Sequence, residues 1–505
     1  MSNQLGEILA KRQYYNLIVD MHCHPAQKPL GYSISKNNTN SSRRRDRHSI
    51  WHYDPPNPID KLINYIPPNL TKFRQSDFTS LSKGGVNVIC ASLYPIEKGF
   101  IINKLDEHLG FIADTVDDLV LGITKDRIKQ LEKSKDYFKE LEEEYNFYLQ
   151  LHDKEIGLRH GKFKYRLIRD FGELELVTNE EPNTICVLMS IEGIHALNTG
   201  LGPYVKNYSF DEKALMKNID KVKKWDFSPF FLTLAHHFDN DLCGHAPSLG
   251  RGLGKLVDQS ERLSEGFTEA GFRVVDKLLD RKSGRILIDM KHMSRRSRYE
   301  YYKYLATKYK NEDIPLLVSH GAVNGMRAPH NNQSDFRETA PNLNASDINF
   351  YDDEIVRIAQ SNGLFSLQLD ERRIASRTAL RMARGKISRR KILFHRSKLL
   401  WNNVQHIAEV LNAADIFPWG ITALGTDYDG IINPLNGFWT AEDLQYLDNS
   451  LLMHAYNFLS RPNCPIREEF KIDPEEIINR IMGDNAYAFM SNYFTDLYRF
   501  DKRQP

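Results

Sequence analysis

Eight short apolar runs, most of them separated by stretches of helical character, constrain the fold of this 505-residue chain more than any other feature. They are Asn16–Asp20, Val86–Leu93, Thr184–Ser190, Phe230–Leu234, Arg285–Asp289, Leu316–Ser319, Leu364–Leu369 and Ile421–Gly425. Each is too short for a helix, rich in Val, Ile, Leu and Phe, and bounded by polar or turn-forming residues, as a buried parallel strand is. The intervening segments Thr268–Leu279, Asp353–Gln360 and Ser388–Leu411 repeat apolar residues at helical spacing. Strands alternating with helices require a parallel sheet, and eight of them predict a closed (β/α)8 barrel of TIM type, in the α/β class.

The ends of these runs carry the chemistry. The first leads into His22-Cys23-His24 before Pro25, and two His at i and i+2 on an extended segment share a face. Later runs end in Ser190-Ile191-Glu192, Ala235-His236-His237, Asp289-Met290-Lys291-His292, Ser319-His320 and Thr426-Asp427. Only 17 of the 505 residues are His, so their recurrence at strand C-termini is not a chance pattern. That rim is where barrel active sites form. Imidazoles and carboxylates brought together there cost desolvation unless they are paired or bind metal. His22, His24, His292 and His320 with Glu192 and Asp427 are the donor set of a binuclear metal site. His236 and His237 adjoin it, and strand alternation lets only one of them face the axis. Singly, each of these residues could be an ordinary core histidine or a turn carboxylate; their shared placement is what points to a metal. His195 and His245 fall in loops and carry less weight.

Composition excludes several classes. A net charge of +2 offers no global field for nucleic acid or anionic membrane. The five cysteines are scattered and form no CxxC pair, which argues against a disulfide framework. No run of about 18 apolar residues spans a membrane, and the N-terminus lacks the apolar core of a signal peptide. A cytoplasmic protein without a membrane anchor is the expectation. The basic stretch Arg372–Lys391 lacks interleaved aromatics and reads as a solvated loop and helix face. Gly250–Lys255 has the wrong spacing for a phosphate loop.

One domain over residues 1–505 is expected. Its insertions lie at about 35–60 and 106–151, with a helical C-terminal extension over 441–505 packed outside the barrel. The charged KELEEEYN segment, Lys139–Asn146, reads as a solvated helix face.

Five ordered blocks resemble the membrane (renal) dipeptidase family of the amidohydrolase superfamily, over roughly Leu17 to Gly437. SIEGIHAL resembles its S-x-E-G-G-H block, and LTLAHHFDND its L-T-L-T-H-x-x-N block. GFTEAGFRVVDKLLDRKSGRILIDMKHMS resembles a G-L-T-x-x-G helix followed by V-D-L-S-H. IPLLVSHGAV resembles P-V-I-x-S-H-S, and GITALGTDYDG resembles G-x-G-S-D-F-D-G. The resemblance implies a dipeptidase with two divalent metal ions, zinc foremost. It implies that His22 and His24 hold the first metal, Glu192 bridges, His292 and His320 hold the second, His236 polarises the scissile carbonyl, and Asp427 is the acid/base. It further implies a small dipeptide-like substrate and a homodimer. Two departures stand out. The family usually has H-x-D on strand one, where this chain has His22-x-His24. The Arg-Asn expected after the strand-six His is missing, leaving Arg327 and Arg337 as candidates for the substrate carboxylate, with Tyr94 as a further substrate contact. Other amidohydrolase reactions, on an N-acyl amino acid or a lactone, fit the same rim. A metal-dependent phosphoesterase and a non-catalytic ligand-binding barrel are the remaining alternatives.

Overall fold

A computed structural model describes residues 17–33, 46–63, 73–101, 123–249, 257–327, 334–336, 338–385 and 388–501. Its strands are β1 (Ile18–Cys23), β2 (Val86–Leu93), β3 (Ile156–Leu158), β4 (Gly161–Leu167), β5 (Thr184–Glu192), β6 (Phe231–Thr233), β7 (Leu287–Asp289), β8 (Leu317–Gly321), β9 (Leu364–Leu367) and β10 (Thr422–Leu424). Eight of them pair in the parallel order β1-β2-β5-β6-β7-β8-β9-β10. The ring closes through backbone just past β10. Asp427 N–H donates to His22 O (2.8 Å), and His24 N–H donates to Tyr428 O (2.9 Å). The Asp20 carboxylate reinforces the seam by accepting from Thr426 N (2.8 Å) and Oγ1 (2.6 Å). The fold is a (β/α)8 barrel with insertions, and each of the eight apolar runs supplies one strand.

The interior is a layer of small and branched side chains drawn from every barrel strand, including Val19, Met21, Val88, Cys90, Leu188, Phe231, Leu287, Leu317, Leu364 and Ala423. The outer faces of the same strands pack on helices in a second, larger cluster. Parallel strands covered on both sides have no solvated face, so their sequences are near-continuous apolar runs. The helices start at side-chain caps: Thr268 accepts from Gly271 N before Glu269–Leu279, and Ser388 accepts from Lys391 N before Arg389–Ala413. Each such cap contributes about 1 kcal/mol.

Three features depart from the sequence reading. The C-terminal extension does not pack wholly outside. Its helix Asn485–Tyr493 sets Tyr487, Phe489, Met490 and Tyr493 against the interior layer, closing the floor of the barrel. Asn485 Nδ2 fastens it by donating to Trp419 O and Thr422 O (both 2.8 Å). A hairpin, β3–β4, follows the second insertion, and β4 pairs with the first half of β5 along the edge that β6 then takes over. Finally, the charged helix Tyr137–Leu149 is not a fully solvated face. Glu140 and Glu144 are buried, and Glu144 Oε2 accepts from Tyr94 N (2.8 Å) just beyond β2. Residues 102–122 of that insertion, most of 35–48 and the glycine-rich 250–255 lie outside the described residues. Among the described residues, no helix is long and apolar enough to cross a membrane.

Candidate metal centre

Two β-bulges shape the site. Leu17, Val19 and Met21 point into the barrel, so strict alternation would turn His22 outward. The β1–β2 register slips by one residue between Asp20 and Cys23, and the imidazole of His22 comes inside. The β8–β9 register slips in the same way between Val318 and Gly321. Ser319 and His320, consecutive in sequence, therefore both reach inward. A bulge adds a residue and re-aims side chains without breaking the sheet.

The result is a tight cluster around one carboxylate. Glu192, the last residue of β5, places Oε1 3.4 Å from His22 Nε2, 3.3 Å from His320 Nε2 and 3.5 Å from both His292 Nε2 and His236 Nε2. Its Oε2 lies 3.1 Å from His24 Nε2. His22 and His24 approach at 3.1 Å between their Nε2 atoms, and His292 and His320 at 3.2 Å. Asp427 Oδ1 is 3.8 Å from His24 Nε2. Donor groups lie close enough to share an ion in the sets His22/His24/Glu192, Glu192/His292/His320 and His22/His320/Asp427. A fourth set joins His236, His237 and His292.

The outer hydrogen bonds fix which nitrogen carries each proton. Asp289 accepts from Thr233 Oγ1 (2.6 Å), Lys291 N (3.1 Å), Ser319 N (3.0 Å) and Ser319 Oγ (2.6 Å). Ser319 has one hydroxyl proton and gives it to Asp289, so its lone pairs accept from His22 Nδ1 (3.0 Å) and His320 Nδ1 (2.9 Å). His24 Nδ1 donates to Ser92 O (3.0 Å), and His236 Nδ1 donates to Glu97 Oε2 (2.5 Å). All four rings thus turn Nε2 toward Glu192. For His22, His24 and His320 this is the outer hydrogen bonding that metal-bound imidazoles require, whereas the buried Nδ1 of His292 has no partner among the described residues.

These residues fit a divalent metal. Neighbouring donors on a tetrahedral zinc with bonds of 2.0–2.1 Å stand about 3.3 Å apart, the spacing seen throughout the cluster. Facing nitrogen lone pairs at that distance repel unless a proton or cation lies between them. The backbone also takes up strain: His292 and Asp427 hold φ of +65° and +62°. That region costs a non-glycine residue of order 1–3 kcal/mol, a penalty found repeatedly at functional sites.

Electrostatics divide the two acids. Burial works to raise the Glu192 carboxyl, but His236, His22 and His24 outweigh it and hold Glu192 well below the usual carboxylate range. Burial and the neighbouring Glu192 charge push Asp427 well above its ordinary value. Carboxylates with opposed shifts suit opposed roles, one a permanent anion and the other a proton carrier. Burial lowers His236, yet Glu192 and Glu97 leave its net shift upward.

Of the residues singled out from sequence, the structure brings together His22, His24, Glu192, His236, His292, His320 and Asp427. Tyr94 joins them, with its ring centroid 5.9 Å from that of His24 and 4.8 Å from that of His236. His236 and His237 both reach the mouth, where one had been expected. His237 Nδ1 contacts Ser248 Oγ (2.5 Å). Arg327 is exposed, pairs with Asp335, and has no described contact with the cluster. Arg337 lies outside the described residues. His195 sits behind His236, with Nε2 donating to Pro95 O (2.8 Å). His245 is buried and binds Glu261 O through Nε2 (3.0 Å). Sequence reasoning missed Glu97 and the Asp289–Ser319 pair. Asp289 and Ser319 abut named ligands, and that adjacency was the available signal. Glu97 carried none.

No family model and no curated protein matches the sequence. Among solved structures, the chain resembles the probable dipeptidase PvdM from Pseudomonas aeruginosa, at 11% identity and a TM-score of 0.50, over 97% of each chain. It is also similar to dipeptidase AC, a metallopeptidase of family M19 (13% identity, 95% and 98% covered, TM-score 0.48). A third similar structure is a Rhodobacter sphaeroides metallopeptidase carrying a phosphinate mimic of L-Ala-D-Ala (13% identity, 94% and 99% covered, TM-score 0.46). At such low identity the likeness to PvdM shows the fold alone, from end to end of both chains.

Proposed function

We propose that this chain is a metal-dependent amide hydrolase of the membrane-dipeptidase type, acting on a small dipeptide-like substrate. The observation that carries the reading is the convergence of four Nε2 atoms and both Glu192 oxygens at metal-ligand spacing, with Asp427 beside them. His22, His24 and Glu192 would hold one divalent ion, and Glu192, His292 and His320 a second. Zinc suits this nitrogen-rich set. Imidazole at position 24, in place of the carboxylate usual in the family, removes one negative charge from the first ligand set. When bound, the pair of ions supplies Lewis acidity and brings the pKa of water toward neutrality.

The chain's own groups do the rest. Asp427, with Oδ1 3.8 Å from His24 Nε2 at the edge of the cluster, is positioned to take a proton from the attacking water and return it to the leaving amine. His236 donates Nδ1–H to Glu97, so only as an imidazolium does it carry an Nε2–H, and in that form it can donate it toward the carbonyl oxygen as negative charge develops there. Tyr94 packs edge-on against His24 and His236 and narrows the mouth.

The test is hydrolysis of a dipeptide panel by the wild-type protein and by Asp427→Asn, with metal content measured on both. The proposal expects Asp427→Asn to keep its fold and metal while losing at least about 100-fold in kcat. A variant as active as wild type would overturn the assignment.

A further inference from the structure

A cavity lies where the second insertion meets the end of β2. It holds about 310 Å³ of empty space, its open mouth included, and Leu30, Ile96 and Ile123 form its apolar wall. Its polar lining comes from three helices: Gln27 from Gln27–Ser33, Arg127 from Lys125–Lys133, and Glu140 and Glu144, one turn apart, from Tyr137–Leu149. Tyr94 completes it. The same ring packs edge-on against His24 and His236, so the cavity and the metal centre share that side chain.

Packing alone does not explain the polar lining. Gln27, Arg127, Glu140 and Glu144 are all buried. Yet five of their atoms have no hydrogen-bond partner: the acceptors Gln27 Oε1, Glu140 Oε2 and Glu144 Oε1, and the donors Gln27 Nε2 and Arg127 Nη1. Neither half of the Gln27 amide is used. Glu144 Oε2 accepts from Tyr94 N (2.8 Å), which leaves Oε1 over. Arg127 Nη2 and Glu140 Oε2 face each other at 3.5 Å, beyond good hydrogen-bond distance. Leaving buried groups unpaired is costly, most of all where they are charged. Such groups are as a rule satisfied, so five of them at one cavity mark a place made for a partner that both donates and accepts. Two carboxylates against one guanidinium ask that the partner's donors sit on a cation.

We infer that this cavity is a second small-molecule site, which takes the ammonium and the carboxylate of a small α-amino acid. An ammonium brings three N–H donors to the three unpaired acceptors, and its charge balances the second carboxylate. The ligand's carboxylate accepts from Gln27 Nε2 and Arg127 Nη1 in charge-assisted hydrogen bonds. The apolar wall suits the α-carbon with a hydrogen or methyl side chain, so glycine and alanine are the expected ligands. The inference stands on the cavity and does not need the hydrolase reading. Under that reading such an amino acid is also a product, held one side chain away from where it forms.

The experiment is calorimetric binding of glycine to the metal-loaded protein, with methylammonium and acetate as half-ligands. Wild type, Gln27→Met and Arg127→Gln are compared at equal metal content. Wild type is expected to bind glycine at least about ten-fold more tightly than either half-ligand, and each variant to lose at least about ten-fold in glycine affinity. Gln27→Met removes no side-chain hydrogen bond of the folded protein, so it decides the matter should Arg127→Gln fail to fold. No glycine binding by wild type assigns the cavity to water alone and overturns the inference. An affinity unchanged in the variants that fold places glycine elsewhere, the metal centre included, and overturns it too. Either half-ligand bound as tightly as glycine overturns the amino-acid assignment. Because binding is read without turnover, these outcomes stand whether or not a dipeptide is cleaved.

Discussion

Ser319→Ala is the most instructive perturbation, because one hydroxyl orients a ligand from each proposed metal. Ser319 Oγ accepts from His22 Nδ1 and His320 Nδ1 and donates to Asp289 Oδ2. Removing it leaves two buried imidazole N–H groups without an acceptor and takes one of four donors from a buried carboxylate. Each orphaned group costs about 1–3 kcal/mol, part of which is recovered if the rings rotate. Rotation is the more damaging outcome for metal, since it swings Nε2 away from Glu192. Loss of a single outer partner weakens metal binding about 10–100-fold, or about 1.4–2.7 kcal/mol. Here both ions share the partner, so both are expected to weaken by that factor. The assay is competition with a chromogenic zinc chelator, read as two stepwise affinities. Ser366→Ala is the control: its hydroxyl is buried in the same barrel with no hydrogen-bond partner, so its loss should be neutral or slightly stabilising. Unchanged zinc affinity in Ser319→Ala, or equal weakening in Ser366→Ala, would refute the reasoning.

Other outcomes follow from the same contacts. Glu97→Gln should lower kcat about 10–100-fold with metal content unchanged, because it removes the carboxylate that orients His236; steady-state kinetics beside elemental analysis check this. Glu192→Gln should abolish binding of at least one ion, seen as a drop in bound metal per chain. Asp77 caps the helix Phe78–Lys83, and burial raises its pKa from 3.8 to about 7. A carboxyl raised on folding contributes stability that is full below pH 4 and lost as the pH rises through 7, to the extent of about 4 kcal/mol. The stability of wild type relative to Asp77→Asn, which keeps a capping side chain but does not titrate, should therefore fall by about that amount between pH 4 and pH 8 in denaturant titrations. A flat difference would show that Asp77 does not titrate in this range.

The barrel was legible because fully buried parallel strands write themselves as apolar runs, and the rim was legible because six of the eight runs lead into a His, Glu or Asp too polar for a core. Leu287–Asp289 and Thr422–Leu424 are only three residues long as strands, yet their flanks carry the pattern. The bulges at His22 and Ser319 were not legible, since register depends on the partner strand and not on the strand itself. The β3–β4 hairpin hid in a charged segment, where Gly161–Leu167 alternates Lys and Arg with Phe, Tyr and Leu. Glu140 and Glu144 read as solvated because nothing local signals that Tyr94 N–H waits for an acceptor. Residues that bind through their neighbours, such as Glu97 through His236, have no local pattern at all.

The central claim is tested most directly by metal stoichiometry coupled to turnover. The purified protein is stripped with chelator, zinc is returned in measured steps, and dipeptide hydrolysis is followed at each step. The account predicts no activity without metal, binding that saturates at about two ions per chain, and activity that reaches its plateau with the second. Full activity in the stripped protein, or no metal bound at any concentration, would contradict it.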